Sequence, residues 1–270
     1  MIIDSHVHIG RLDDSPYAAT TFEQNLASLL KEMRSAGVDK ALILPGYRKH
    51  EKTDPLMRTV LKVTEGRKNV FITGSIDVLD HSQDDIDELD GLMAKRRIIG
   101  IKLYPGYQHF FPYDPVCEPI YKLCLKHDVP VIFHSGDTLS TGETAAKVRY
   151  AHPLAIDDVA ADHPDLKIVI AHMGNPWFLD CAEVLYKNNN VYADLSGLVV
   201  RTPLDSPYGR LLRAKINELI VFSSPRKLLY GTDWPLGEMK PYLKFVKSLG
   251  LGKTDLDYVM YKNAAWLFGV

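Results

Sequence analysis

The chain has 270 residues, enough for one large domain or two small ones, and its 46% apolar content provides material for a sizeable core. A net charge of −2 and a pI near 6.5 give no electrostatic case for a nucleic acid or an anionic membrane as partner. No apolar run approaches the ~20 residues of a membrane-spanning helix, and the start lacks a basic segment followed by a cleavable apolar stretch, so a cytoplasmic location is expected.

The first stretch, Ile2-Ile3-Asp4-Ser5-His6-Val7-His8, reads as a strand. Alternation along it puts Asp4, His6 and His8 on one face, with Ile3 and Val7 turned the other way toward an outer helix. Two imidazoles about 6.5 Å apart at Cα can converge on one metal ion. Thr21 then caps a helical pattern carrying Phe22, Leu26, Leu29, Leu30 and Met33, which Gly37 ends. The run 40–45 reads as a strand buried on both faces, the habit of parallel sheets, and residues 55–65 as its helix, with Pro55 in the first turn. A third strand over 70–76 is followed by an acidic helix over 84–95.

The fourth strand, 98–103, holds Lys102 among aliphatics and leads into the aromatic loop Tyr104-Pro105-Gly106-Tyr107-Gln108. A helix over 118–127 precedes the fifth strand, 129–134, which ends in His134. After the longer connection 135–159, the sixth strand, 166–172, ends in His172 and is followed by Met173-Gly174-Asn175-Pro176. A helix over 177–187 leads to the seventh strand, 191–195, and the eighth, 227–231, runs into Thr232-Asp233-Trp234-Pro235. Two more helical patterns close the chain. Cys117, Cys124 and Cys181 have no CxxC pairing and read as buried free thiols in a reducing compartment.

About eight alternating strand–helix units in one undivided chain match the ~250 residues typical of a (β/α)8 barrel. An open doubly wound sheet is the other architecture with this alternation, but no GxGxxG-type loop follows the first strand. The expectation is an α/β fold with a single TIM-like barrel domain over residues 1–270. In such a barrel the strand ends form the active-site mouth, and His6, His8, Lys102, His134, His172 and Asp233 all fall there. Coincidence explains one or two such residues at strand ends; all six point to a metal site.

The motifs Ile3-Asp4-Ser5-His6-Val7-His8, Gly100-Ile101-Lys102-Leu103-Tyr104-Pro105, Val131-Ile132-Phe133-His134, Ala171-His172-Met173-Gly174 and Gly231-Thr232-Asp233-Trp234-Pro235, with the closing Asn263-Ala264 and Leu267-Phe268-Gly269, occur in this order across nearly the whole chain. In that set the sequence resembles the amidohydrolase superfamily, specifically the amidohydrolase-2 (amidohydrolase-related) family. The resemblance implies a distorted barrel holding a divalent metal, usually zinc, with His6, His8 and His134 as ligands. It implies that Asp233 ligates the metal or holds its water, and that His172 activates that water in a mononuclear site. In binuclear relatives the residue matching His172 becomes a ligand and a carboxylated lysine, here Lys102, bridges two metals. Lys102 is otherwise read as reaching an internal carboxylate such as Asp4, or as binding a substrate anion.

A set of three imidazoles and one carboxylate suits catalytic zinc, because it leaves a position open for water or a substrate oxygen. Arg48 and Arg201 lie on the catalytic side and are candidates to clamp a substrate carboxylate; Tyr104, Tyr107 and Trp234 are candidate pocket walls, and Asn175 a candidate contact. Asp4 is expected one layer deeper, orienting His6 or Lys102. Asp194 reads as packing within its strand and is not counted as a site residue.

The leading expectation is metal-dependent hydrolysis of a small amide, ester or lactone. Decarboxylation of an aromatic or unsaturated carboxylic acid is the alternative, since the resembled family holds both. A nuclease of the TatD type would carry a glutamate where Lys102 stands, and a metal-free ligand-binding barrel is the non-enzymatic reading. A homodimer is expected from the resemblance, with the aromatic loops available for an interface.

Overall fold

The computed structural model describes residues 1–10, 21–46, 56–140, 145–200 and 202–270. Arg48 and Arg201, expected near a substrate, lie outside the described residues.

The strands are β1 (Ile3–Val7), β2 (Lys40–Ile43), β3 (Val70–Ile72), β4 (Gly74–Ser75), β5 (Ile101–Leu103), β6 (Val131–Phe133), β7 (Ile168–Ile170), β8 (Val191–Asp194) and β9 (Leu228–Leu229), and every pairing between them is parallel. They form two arcs, β1-β2-β3 and β4-β5-β6-β7-β8-β9, so the third strand expected over 70–76 is split in two at Thr73. Individual hydrogen bonds bridge the two seams: Ile99 N, just before β5, donates to Ile72 O of β3, and on the other side Ser5 N donates to Tyr230 O, Asp233 N to His6 O and His8 N to Trp234 O. The result is a distorted barrel, zipped by ladders inside each arc and stitched by individual bonds between them.

Helices α1 (Phe22–Ala36), α2 (Leu56–Val63), α3 (Gln83–Ala94), α4 (Glu118–His127), α5 (Leu154–Asp162), α6 (Phe178–Lys187), α7 (Pro207–Phe222), α8 (Met239–Lys247), α9 (Lys253–Asp257) and α10 (Asn263–Phe268) account for the alternation. Thr21 caps α1 reciprocally with Gln24, satisfying two otherwise orphan amides, and Gly37 ends it at φ 73°, where a side chain would be strained. All three cysteines are buried free thiols, as expected. Among the described residues no helix is long and apolar enough to cross a membrane.

Alternation along the strands divides the core into two layers. Ile101 and Leu103, Val131 and Phe133, Ile168 and Ile170 join the layer between strands and helices. Their neighbours Ile132 and Val169 join Ile3, Leu42, Leu44 and Leu229 inside the barrel, and Ala264, Leu267 and Phe268 of α10 complete that inner cluster. Lys102, between Ile101 and Leu103, therefore projects inward. Ile3 departs from expectation: it lies in the inner cluster, whereas Val7 faces the helices. The pairing of β1 with β2 shifts register between Asp4 and Val7, and that irregularity resets the alternation within one strand.

Candidate active site

At and just beyond the strands' C-terminal ends the chain collects four imidazoles, two carboxylates and one amine, all at least largely buried: His6, Lys102 and Asp194 from within β1, β5 and β8, and His8, His134, His172 and Asp233 from the residues that follow β1, β6, β7 and β9. Each imidazole is tied through one nitrogen to an acceptor. His6 Nδ1 donates to Asp194 Oδ2 at 2.8 Å, with Ser196 Oγ at 3.0 Å. His8 Nδ1 donates to Leu44 O at 2.6 Å, and His172 Nδ1 to Ser196 O at 3.1 Å with Ser196 Oγ at 2.8 Å. His134 is tied the other way round, Nε2 donating to Asp137 O at 3.1 Å. Carbonyl and carboxylate oxygens only accept, so these contacts place the ring protons. The lone pair is left on Nε2 of His6, His8 and His172, and on Nδ1 of His134.

Those lone pairs meet another. Asp233 Oδ1 lies 3.1 Å from His8 Nε2 and 3.6 Å from His6 Nε2, and the three atoms fall within 4.8 Å of one another. Electron-pair donors at such distances repel unless a proton or a cation lies among them. Imidazole nitrogens fixed from behind by a carboxylate or carbonyl, and facing a common point with a carboxylate, are what a zinc site requires. His6, His8 and Asp233 thus form a group able to hold a divalent metal. His6, His172 and Asp194 form a second close group. There, however, Asp194 is already filled: it accepts from His6 Nδ1, His172 N, Ser196 N and Ser196 Oγ. It acts as the hub that orients the rings. His134 enters neither group, but its ring lies 5.1 Å from that of His172 and 4.8 Å from that of Tyr107.

Electrostatics agree with the hydrogen-bond pattern. Burial, reinforced by the charge of Lys102, lowers His6 to about 3, and burial keeps His134 and His172 below the usual imidazole range. Burial works against ionising Asp194 and Asp233, yet the facing imidazoles outweigh it and hold both carboxyls below their usual range. Neutral imidazoles beside ionised carboxylates are the protonation states in which these groups ligate metal.

The backbone is bent to make this arrangement. His172, Met173 and Asp233 take left-handed φ values of 58°, 50° and 63°, which cost a non-glycine residue about 1–2 kcal/mol each. At Gly197 (φ +70°) a Cβ would sit 2.7 Å from His172 Nδ1 and 3.3 Å from Asp233 Oδ2. Only glycine lets the strand-end loop pass this close to both side chains.

Lys102 is 1% exposed, and its Nζ has no hydrogen-bond partner among the described residues. The expectation that it reaches Asp4 is not met. Asp4 accepts from Thr232 N at 3.0 Å, Thr232 Oγ1 at 2.7 Å and His6 N at 3.2 Å, so it ties the seam between β1 and the end of β9. It positions the His6 backbone without touching its ring.

Tyr107 packs on His134, as a pocket wall would. Tyr104 is buried, donates to Pro45 O at 2.8 Å, and sets its ring 5.3 Å from Lys102 Nζ. Asn175 stands at the rim, its Nδ2 donating to Asp137 Oδ2 at 2.9 Å, and so fastens the loop after β7 to the loop that holds His134. Trp234 is a correction. Its indole faces away from the mouth, 1% exposed in the layer between strands and helices, and Nε1 donates to Glu32 Oε2 of α1 at 2.6 Å. The left-handed turn at Asp233 sends the acid inward and the adjacent indole outward. Asp194 and Ser196 were missed; a carboxylate ending an apolar strand, like the histidines of the other strands, was the available signal.

No curated protein matches the chain. Among solved structures it is similar over its whole length to 5-carboxyvanillate decarboxylase LigW from Sphingomonas paucimobilis (16% identity, 100% of this chain and 99% of that chain, TM-score 0.73). It is also similar to a probable 2-pyrone-4,6-dicarboxylic acid hydrolase from Acinetobacter baumannii (16%, 100% and 99%, TM-score 0.70). A zinc-bound amidohydrolase from Burkholderia multivorans matches at 14% identity, 100% and 99% coverage and a TM-score of 0.70. At these identities the likeness establishes the TIM-barrel fold. The Amidohydrolase (Amidohydro_2) family model spans residues 3–270, and this chain therefore belongs to the amidohydrolase-2 family of enzymes.

Proposed function

We propose that the protein is a metal-dependent hydrolase of a small amide, ester or lactone. The observation that carries this reading is the convergence of Nε2 of His6, Nε2 of His8 and Oδ1 of Asp233, with both rings' Nδ1 protons committed elsewhere. His6, His8 and Asp233 would hold one divalent ion, zinc in the first instance, with His134 completing the set through Nδ1. When bound, the ion supplies a Lewis acid that polarises a carbonyl and makes water more acidic. Asp233 presents an acceptor oxygen beside the metal position and takes the proton of the attacking water. His172, its Nδ1 fixed by Ser196, offers Nε2 to relay a proton to the leaving group. Tyr107 covers His134 and limits access of bulk water from that side.

Decarboxylation on the same barrel is the second reading, supported by two neighbours that are carboxylic-acid decarboxylases, LigW and 2,6-dihydroxybenzoate decarboxylase from Rhizobium. In that reaction Asp233 would first take a proton from water and then deliver it to the carbon that loses carbon dioxide, returning to the carboxylate. The deciding experiment incubates zinc-loaded protein with panels of lactones, aryl esters, amides and aromatic acids, following acid release and carbon dioxide separately. Hydrolysis that disappears in Asp233→Asn supports the first reading. Carbon dioxide release without hydrolysis replaces it with the second, and inactivity across both panels removes both.

A further inference from the structure

A groove of about 350 Å3 opens at the end of the barrel opposite the mouth. Val70, which begins β3, and Ile99, which precedes β5, both line it, so it lies at the strands' N-terminal ends. The fold leaves this place open. β3 and β5 belong to different arcs and are stitched by the bond from Ile99 N to Ile72 O instead of a ladder, and Ile72 lines the groove too. Outside the strands, α2 packs on α1 and α3 on α4, while an ion pair of 2.7 Å from Arg58 of α2 to Glu88 of α3 spans the space between the two helices.

Two turns bring positive charge to this gap. The turn after α2 presents Arg67 and Lys68, and the turn between α3 and β5 presents Arg96 and Arg97, all four exposed. Glu65 is the one acid of the lining, which leaves the groove a surplus of three positive charges on a chain whose total charge is −2. The side chains of Arg67 and Lys68 make no hydrogen bond or ion pair among the described residues. Arg97 reaches across from the β5 side: its Nη2 donates to Leu61 O at 3.5 Å and its Nη1 stands 3.9 Å from Glu65 Oε1. Arg96 is fixed by donating from Nη2 to Gly269 O at 3.1 Å. Cations often serve the carbonyl end of a helix, but that field fades within the last turn. α2 ends at Val63 and α3 at Ala94, short of all four.

Guanidinium forks on two facing turns suit phosphate oxygens, because each offers paired planar donors along with its charge. A surplus of three charges calls for a diphosphate before a single carboxylate. The apolar part of the lining, Leu61 and Val70 beside Ile72 and Ile99, suits an organic body attached to that diphosphate. We propose that this groove is a binding site for a small organic diphosphate, with its phosphates between the two turns and its apolar body over the seam of the barrel. The site stands apart from the reaction at the mouth, since the two lie at opposite ends of the strands and neither reading needs the other. A ligand held by both turns ties the β3 arc to the β5 arc, so binding also raises the melting temperature.

The test is calorimetric titration with geranyl diphosphate, ADP and inorganic pyrophosphate, on zinc-loaded and on chelator-treated protein, in wild type, Arg67→Ala, Lys68→Ala and Arg97→Ala. At least one organic diphosphate should bind in the micromolar range and more tightly than pyrophosphate, equally with and without zinc. Each substitution should weaken it roughly 10-fold, the cost of one charged hydrogen bond. A preference for ADP assigns the body to a nucleoside and a preference for geranyl diphosphate to an isoprenoid chain, and either supports the proposal. Pyrophosphate binding as tightly as both esters would mean an adventitious ion only and overturns it. So does the absence of binding at millimolar concentration, binding that disappears with the zinc, or binding that all three substitutions leave unchanged. If Arg97→Ala, which gives up the contacts to Leu61 and Glu65, does not fold, Arg67→Ala and Lys68→Ala decide, because their side chains have no described partner to lose. Binding is read without turnover, so an inactive protein that still takes up the diphosphate would end the hydrolase reading and leave this site standing.

Discussion

His6 and Asp194, separated by 188 positions in the chain, meet at 2.8 Å between Nδ1 and Oδ2 at the mouth of the barrel. This bond fixes the His6 tautomer, turns its Nε2 lone pair toward Asp233, and gives Asp194 a role that its place in a buried strand concealed. The same carboxylate receives the backbone N–H of His172 and both donors of Ser196, so one acid sets the orientation of two rings.

Asp194→Asn should therefore lower metal affinity without altering any ligand. Residues that hold a ligating histidine from behind contribute about 10–100-fold in metal affinity. Competition for zinc against a fluorescent chelator measures it, and an unchanged affinity would show that His6 is oriented by other contacts.

Gly197→Ala places a methyl group where His172 Nδ1 and Asp233 Oδ2 now stand, at a backbone angle that alanine adopts with strain. The expected result is a roughly 100-fold loss of turnover from misplacing the relay by about 1 Å. Zinc affinity should fall less than turnover, because the methyl meets His172 most closely and only the Oδ2 oxygen of Asp233, not the Oδ1 that faces His8 and His6. Turnover within a few-fold of wild type would argue against a reacting role for His172.

Glu32 accepts from Trp234 Nε1 and from Met239 N, joining α1 to the end of β9 and the start of α8. Glu32→Ala should cost about 2 kcal/mol in urea unfolding, since two donors lose a charged acceptor. The substrate KM should not move, because the indole lies on the helix side of the strands. A raised KM at unchanged stability would return Trp234 to the pocket.

Asp85 closes the cap of α3, accepting from Ser82 N and Oγ, and these bonds hold its carboxyl below the usual range. A depressed carboxyl stabilises the fold above its unfolded value of about 3.9, and that contribution is lost as pH falls through the folded value. Asp85→Asn should thus be less stable than wild type by about 0.5 kcal/mol near neutrality, a surface-level effect. The gap should close as the pH falls below about 4. Thermal unfolding of both chains across that range measures it, and a gap that persists at low pH would assign the effect to geometry.

What the chain announces locally is its architecture and its reactive groups. Thr21 with Gln24 starts α1 and Gly37 stops it, using contacts three or four residues long, and aliphatic runs ending in His134, His172 or Asp233 mark strand ends by composition alone. Parallel strands must finish on one side of the barrel, so their terminal side chains gather there whatever the connecting loops do.

Tertiary structure decided the rest, and in each case the cause is a contact between distant segments. The irregular register of β1 against β2 carried Ile3 inside. The hydrogen bond across 202 positions from Trp234 to Glu32 took the indole out of the pocket. Thr232 bound Asp4 and left Lys102 without a hydrogen bond from it, and the choice of which nitrogen on each histidine faces the metal position belongs to Leu44, Asp137, Asp194 and Ser196. Residue type and strand position specify which groups can reach the mouth. Their tautomers and orientations follow from partners that neighbouring sequence does not contain.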